Sequence, residues 1–186
     1  MIFQASELAL ETLLYLTSKR AGEWVKHELR SLGGLDYIVV EVSNSMGWIE
    51  SELIKSGPSE DVIDRMRKVD RCLQVLQQVT FNHEDNQRYL LGVSERKLSE
   101  DSDVLVKCNE VSPKVFNDLF RFCIRQIEVV DRKLEVATVL RELLFSVLRH
   151  LVNMSHDYRG IGEFKFLCNI NAIFIFIDFL CVLNYP

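Results

Sequence analysis

The sequence lacks the short motifs that mark most catalytic and cofactor-binding proteins. It has no Cys-x-x-Cys pair, no glycine-rich phosphate loop and no Gly-x-Ser-x-Gly, and the segment Gly160-Ile161-Gly162 has neither a third glycine nor a preceding predicted strand. None of the four histidines stands in a metal-ligand spacing with a cysteine, and His150 and His156 fall on different faces of a helix. The sequence therefore predicts a protein that is not an enzyme, with no catalytic residue, no metal site and no cofactor.

The sequence also shows no net positive charge, no cysteine framework and no basic segment at its start. The formal net charge of −5 disfavours direct binding of nucleic acid, because lysine and arginine drive binding to phosphates, and it favours a protein partner. The five cysteines are an odd number and widely spaced, which predicts reduced, buried thiols. The first residues, MIFQASELALE, contain no basic segment, so we expect no secretory signal. A cytosolic or nuclear protein is expected.

Apolar residues with helical spacing are abundant near the start of the chain. They recur in three successive segments: Leu10, Leu13, Leu14 and Leu16 within Ser6–Ser18; Trp24, Val25, Leu29 and Leu32; then Leu35, Tyr37, Ile38 and Val42. Gly33-Gly34 separates the second segment from the third, because glycine reaches the positive φ that closes a helix. Three short helices joined by tight turns are typical of an armadillo or HEAT repeat.

The middle of the chain continues this pattern with clear breaks. The periodicity weakens at Ser43–Ser45 and stops at Gly57-Pro58, after which Ser59 is predicted to cap a helix that runs to Val79. A turn is predicted at Asn82–Asn86, with apolar spacing resuming over Gln87–Val93.

The second half begins with the highly charged segment Glu95–Asp103, which is predicted to be an exposed loop. Ser112 is predicted to cap a helix with Pro113 in its first turn. The apolar stripe of that helix consists of Val115, Phe116, Leu119, Phe120, Cys123, Ile127 and Val130. A further helix is predicted from Leu134 to Met154.

Three helices share a similar end. Superposing Thr17 on Thr80 places Leu10 on Leu73, Leu13 on Leu76 and Leu16 on Val79, and Ser155 brings Leu148, Leu151 and Met154 into the same register. The offsets between copies are unequal, so the repeats carry insertions. The predicted fold is all-α, an irregular HEAT/armadillo-like helical repeat array.

One stretch also resembles a known family. The run LTSKRAGEWVKHELRSLGGLDYIV, from Leu16 to Val39, resembles the conserved C-terminal domain of the Wings apart-like family, whose members release the cohesin ring from chromosomes. The resemblance is close over Glu7–Val42 and looser over Asp70–Leu91 and Val139–Asp157. It implies a nuclear, chromatin-associated regulator of cohesin, acting in cohesin release and sister chromatid cohesion. The implied partners are cohesin complex subunits and cohesin-associated regulators.

Charged residues crowd around Trp24 within this run. Lys19, Arg20, Trp24, Lys26 and Arg30 are the candidate partner-binding residues, since arginine and tryptophan are favoured at binding hot spots. The alternative interpretation is a solvated rim with Trp24 in the core. The sequence leaves both interpretations open.

The last residues differ from the rest in composition. Residues 1–163 are expected to form part of the family's helical domain, and the apolar tail 164–186 is expected to lie outside it. Three hypotheses for the tail remain: a membrane anchor, a buried terminal element that caps the array, or a product of splicing or of an imperfect gene model. Asn169, Asn171 and Asp178 interrupt the apolar run, which disfavours membrane insertion. The membrane hypothesis implies a different function, that of a tail-anchored helical adaptor.

Overall fold

The computed structural model describes residues 2–18, 22–92, 111–130 and 135–156. Within these ranges all regular secondary structure is helical, in seven α-helices. They are α1 (Ile2–Thr17), α2 (Glu23–Ser31), α3 (Gly34–Lys55), α4 (Glu60–Thr80), α5 (Glu84–Leu90), α6 (Val111–Val129) and α7 (Glu135–His156). The all-α class is confirmed.

Helix α4 is the centre of the described structure. It packs against α1, α3, α5 and α7, and α6 packs against α3 and α7. A helix with neighbours on several sides needs a wide apolar surface, and α4 supplies one. Its buried residues are Val62, Ile63, Met66, Val69, Cys72, Leu73, Val75, Leu76, Val79 and Thr80. Apart from Thr80, these side chains join those of the neighbouring helices in a single hydrophobic core.

The predicted breaks at Gly33 and Gly57-Pro58 are confirmed. Gly33 has φ of 75° and Gly57 has φ of 74°, a conformation that glycine adopts without a side-chain clash. Ser59 caps α4, its hydroxyl oxygen accepting a hydrogen bond from the Val62 amide at 3.4 Å.

Two local predictions, at Ser112 and at Asn82–Asn86, are wrong, and the weakened apolar pattern at Ser43–Ser45 does not interrupt a helix. Helix α3 is continuous through Ser43–Ser45, because Ser43 and Asn44 face solvent while the buried Ser45 hydroxyl donates to the Glu41 carboxylate at 3.2 Å. Ser112 is not a cap, since α6 already includes Val111. The predicted turn at Asn82–Asn86 ends early because α5 begins at Glu84.

Thr17 and Thr80, which the sequence superposes, occupy equivalent helix ends. The Thr17 hydroxyl donates to the Leu13 carbonyl at 2.7 Å, and the Thr80 hydroxyl donates to the Leu76 carbonyl at 2.7 Å. Both threonines are buried, and each long helix is followed by a short one, α2 after α1 and α5 after α4. The side chain of Ser155, the third superposed residue, lies outside the described part.

Two cysteines are described, and their thiols are free and buried in the core. Burial raises the pKa of Cys72 to about 12 and the pKa of Cys123 to about 12. This agrees with the predicted role of small hydrophobic residues. Cys108, Cys168 and Cys181 lie outside the described residues, as do the predicted loop Glu95–Asp103 and the tail 164–186.

Candidate protein-interaction surface

At each end of α2 a glycine lies in close contact with a neighbouring residue. A Cβ atom at Gly22 would lie 2.5 Å from the Leu16 carbonyl oxygen, and one at Gly34 would lie 2.5 Å from Cδ1 of Leu29. Only glycine permits these approaches. The glycines of the sequences RAGEW and SLGGL therefore fix how the short helix leaves α1 and enters α3.

The inner face of α2 carries a buried lysine. Lys26 is 6% exposed, and its ammonium donates to the Glu23 carboxylate at 2.8 Å and to the Phe81 carbonyl at 3.1 Å. A buried charge is tolerated when it is paired and hydrogen-bonded, as it is here. Because Phe81 follows α4 directly, Lys26 ties α2 to the end of the central helix.

Three side-chain amides extend this connection, and with Lys26 we call them the amide network (Lys26, Asn86, Gln87, Asn153). The Asn86 amide donates to the carbonyls of Lys26 at 3.1 Å and Val79 at 2.9 Å. The Gln87 amide donates to the carbonyls of Thr80 at 2.9 Å and Asn153 at 3.3 Å. The Asn153 amide in turn donates to the Thr80 hydroxyl at 2.7 Å. The amide network thus joins α2, α4, α5 and α7.

One further contact links α5 to α3, and another joins the two short helices, α2 and α5, to each other. The Tyr89 hydroxyl donates to the Asp36 carboxylate at 2.5 Å, and desolvation, followed by the contact with Asp36, raises the pKa of Tyr89 to about 12. Arg30 lies 3.5 Å from the Asp85 carboxylate. Because Asp85 is exposed, this ion pair contributes little to stability.

His83 begins the second short helix. Its Nδ1 accepts a hydrogen bond from the backbone N–H of Asn86 at 3.3 Å, so it serves as the N-cap of α5. Burial lowers the pKa of His83, and the positive charges of Arg30 and Lys26 act in the same direction, whereas Glu23 and Asp85 oppose them. The neutral imidazole is thereby favoured, which is the form that can accept this bond.

The outer face of α2 consists of Trp24, His27 and Ser31, all exposed, and we call it the Trp24 face. Trp24 is 70% exposed, so the interpretation that places it in the core is wrong. Lys26 and Arg30 lie on the inner side, toward α5, because the helical period separates them from Trp24. Lys19 and Arg20 lie outside the described residues.

The five candidate residues therefore do not make one described patch. Sequence analysis also missed His83, Asn86 and Gln87, which were assigned to a turn or to an unremarkable helical segment. The sequence does carry one signal for them. Two consecutive amide side chains lie between the apolar residues Val79 and Leu90, and polar groups that become buried need hydrogen-bond partners within the fold.

The described part of the chain contains neither a metal site nor a membrane-spanning helix. Among those residues, no group of three or more His, Cys, Asp or Glu side chains could hold a metal ion. None of the described helices combines the length and the apolar character that a membrane crossing requires.

Comparison with known proteins gives a consistent result. Residues 3–173 match the family model described as "Wings apart-like protein regulation of heterochromatin". The chain is 37% identical over 157 residues to "Protein wings apart-like" of Drosophila melanogaster, covering 81% of this chain and 8% of that protein. It is 32% identical over 154 residues to "Wings apart-like protein homolog" of Homo sapiens, covering 81% of this chain and 13% of the relative. An Arabidopsis thaliana relative, "Wings apart-like protein 1", is 30% identical over 90 residues, covering 45% of this chain and 10% of that protein.

Proposed function

Because the chain belongs to the Wings apart-like family, we propose that it regulates the association of cohesin with chromatin by binding other proteins, without catalysing a reaction. Its partners are cohesin complex subunits and cohesin-associated regulators, and it acts in the nucleus on chromatin. Favouring the release of cohesin is the finer form of this proposal. The chain spans only 8% and 13% of the lengths of the fly and human relatives, so their activities come to it as part of the proposal.

The exposed indole of Trp24 is the observation that carries a binding role. Tryptophan is enriched among the few residues that dominate binding energy, and this side chain is 70% exposed. Buried contacts of Lys26 and Asn86 fix the helix beneath it. A preformed surface loses little conformational freedom on binding, which favours affinity. We therefore assign the Trp24 face as the surface that contacts cohesin or one of its regulators.

A helical-repeat architecture is the second part of the proposal. The equivalent ends of α1 and α4, each followed by a short helix, support two related units of a HEAT/armadillo-like array. Stacked helical units create extended surfaces for other proteins. A protein of this kind works by binding one state of its partner more tightly than another.

Capture of purified cohesin core complex by the full chain tests the function. Trp24→Ala should weaken binding by more than about tenfold, the loss expected on truncating a hot-spot residue. Ile54→Ala is the matched control, because Ile54 is 87% exposed and lies at the other end of α3, about 30 Å along that helix from α2. It should leave affinity unchanged.

The possible outcomes separate the claims. No capture by the wild-type chain would contradict the proposed function. Capture that is indifferent to Trp24→Ala would refute the Trp24 face while leaving the function intact. Arg20→Ala and Arg30→Ala extend the test to the charged residues nearby. Lys26→Ala is less informative, because its buried contacts make loss of stability the expected effect.

A further inference from the structure

A second surface lies between α3 and α6, apart from the Trp24 face. It is a groove of about 420 Å³ whose floor contains the buried side chains of Met46 and Val115. Gly47 is exposed at the α3 wall. Basic residues of α6 stand along the opposite wall. The groove is open to solvent and therefore accessible to another molecule.

No neighbour of Gly47 among the described residues requires a glycine at this position. Glycine in a helix interior is unfavourable relative to alanine, and Gly47 lies in the middle of α3. Gly22 and Gly34 are required because a Cβ atom at either would meet a neighbour at 2.5 Å. Among the described residues, a Cβ atom at Gly47 would meet nothing within 4 Å. No contact of the described structure therefore requires glycine here, and the missing side chain leaves room for a backbone that approaches from outside.

The charges of the groove differ from those of the whole chain. Lys114, Arg121 and Arg125 share one face of α6, and Arg125 donates to the Glu50 carboxylate across the groove at 3.2 Å. Lys114 and Arg121 form no ion pair with any residue of the described ranges. Asp118 lies between them on the same face of α6. The groove is thus lined by three cations and the two carboxylates of Glu50 and Asp118, and two of the cations have no ion pair among the described residues, in a protein whose net charge is −5.

We propose that this groove binds an extended acidic peptide segment of a partner protein, with the peptide backbone against Gly47. An apolar side chain of the peptide rests on Met46 and Val115, and acidic residues on either side pair with Lys114 and Arg121. This binding mode is independent of the Trp24 face.

Nucleic acid fits the groove less well. A continuous row of phosphates would meet the Asp118 carboxylate between the two cations, and it would offer no apolar group to the floor. A peptide can place acidic residues beside Lys114 and Arg121 and a neutral residue at Asp118. Lys114 and Arg125 are about 16 Å apart along the axis of α6. An extended peptide of about five or six residues has this length.

A fluorescein-labelled peptide, Glu-Asp-Leu-Gly-Glu-Asp, titrated with the full chain and followed by fluorescence anisotropy, tests the proposal. We expect saturable binding that Arg121→Glu weakens by at least about tenfold. Arg149→Glu is the matched control, because it makes the same charge change on an exposed residue of α7 that does not line this groove. It should leave the affinity unchanged.

Gly47→Ala provides the sharper test because it acts in opposite directions on stability and binding. The free protein should melt about 2 °C higher, since alanine favours the helix and meets no neighbour. Peptide affinity should fall several-fold, since the new methyl group occupies the place of the peptide backbone. A variant that misfolds would be recognised by a lower melting temperature, so loss of binding with a raised melting temperature reports the groove alone.

Three results would overturn the proposal: the absence of saturable binding, binding that neither Gly47→Ala nor Arg121→Glu weakens, or tighter binding of a twelve-nucleotide single-stranded DNA with the same dependence on Arg121. A lysine-substituted peptide, Lys-Lys-Leu-Gly-Lys-Lys, should not bind, and its binding would equally contradict the charge assignment. Because cohesin capture is measured separately with Trp24→Ala, failure here does not alter the outcome of that experiment.

Discussion

His150 should make the folded protein sensitive to mild acid. Its side chain is completely buried on α7, with its ring centroid 4.5 Å from that of Phe116 and the ring planes at 63°. Neither ring nitrogen has a hydrogen-bond partner among the described residues. Burial without a partner disfavours the charged form and lowers the pKa of His150 from 6.5 to about 3. The imidazole is therefore neutral in the fold at every pH at which the protein is normally handled.

The direction of the effect follows from the proton balance. Below pH 6.5 the unfolded chain binds a proton at His150, whereas the folded chain does not until the pH approaches about 3. The free energy of unfolding therefore keeps its full contribution from neutral His150 above pH 6.5. It loses that contribution progressively as the pH falls toward 3. At pH 5 the difference of about 1.5 pH units below the unfolded pKa corresponds to about 2 kcal/mol in the free energy of unfolding.

Urea denaturation at pH 7 and pH 5, with circular dichroism as the readout, measures this difference. His150→Leu removes the titrating group and its two ring nitrogens at similar volume. Between pH 7 and pH 5 the free energy of unfolding of this variant should therefore fall by about 2 kcal/mol less than that of the wild type. His83, whose pKa is also lowered, contributes equally to both proteins and cancels.

Val152→Ala is the control, because Val152 is a non-titrating residue of the same helix and is 62% exposed. The pH dependence of its free energy of unfolding should match that of the wild type. Equal pH dependence in the wild type and in His150→Leu would refute the reasoning, since it would mean that His150 gains a proton or a partner in the folded state.

Two further predictions concern the buried groups of the bundle. Asn86→Ala should lower the free energy of unfolding by about 1 to 3 kcal/mol, because it removes the side-chain donor to the carbonyls of Lys26 and Val79 that joins α5 to α2 and α4. A free energy of unfolding within about 0.5 kcal/mol of wild type would contradict the role of the amide network. Cys72 and Cys123 should react with iodoacetamide at pH 8 at least about a thousandfold more slowly in the native protein than in urea, since a thiol with a pKa of about 12 is almost wholly protonated; peptide mapping that finds similar rates would disprove it.

The helices were largely predictable because their signals are local. The cap at Ser59 and the stops at Gly33 and Gly57 depend only on the backbone nearby, and the structure agrees with each. The apolar pattern weakens at Ser43–Ser45 without ending the helix, because a polar residue inside a helix is acceptable whenever it faces solvent or finds a side-chain partner, as Ser45 does with Glu41. That partner lies one turn away and is invisible to a count of apolar residues.

The surface was less predictable because its charges act over long sequence separations. Lys26 looked like an exposed cation, yet its ammonium bonds the carbonyl of Phe81, which is 55 residues away. Asn86 looked like a turn residue, yet it bonds the carbonyl of Lys26 at a separation of 60 residues. Composition and periodicity carry no information about such pairs, so the sequence could not divide the charged run around Trp24 into buried and exposed members.

The helical period divides the residues of α2 between an inner face that contacts the fold and an outer face that is exposed. Glu23, Lys26 and Arg30 face the other short helix, where they hold α2 in place, while Trp24, His27 and Ser31 face solvent. The charged side chains on the inner side therefore position α2, whereas the Trp24 indole on the outer side is exposed to solvent. Because the inner contacts reach the ends of α4 and α7 through Asn86 and Gln87, the Trp24 face is held rigidly to the core rather than carried on a mobile loop. A partner that binds it meets a surface whose shape is already fixed.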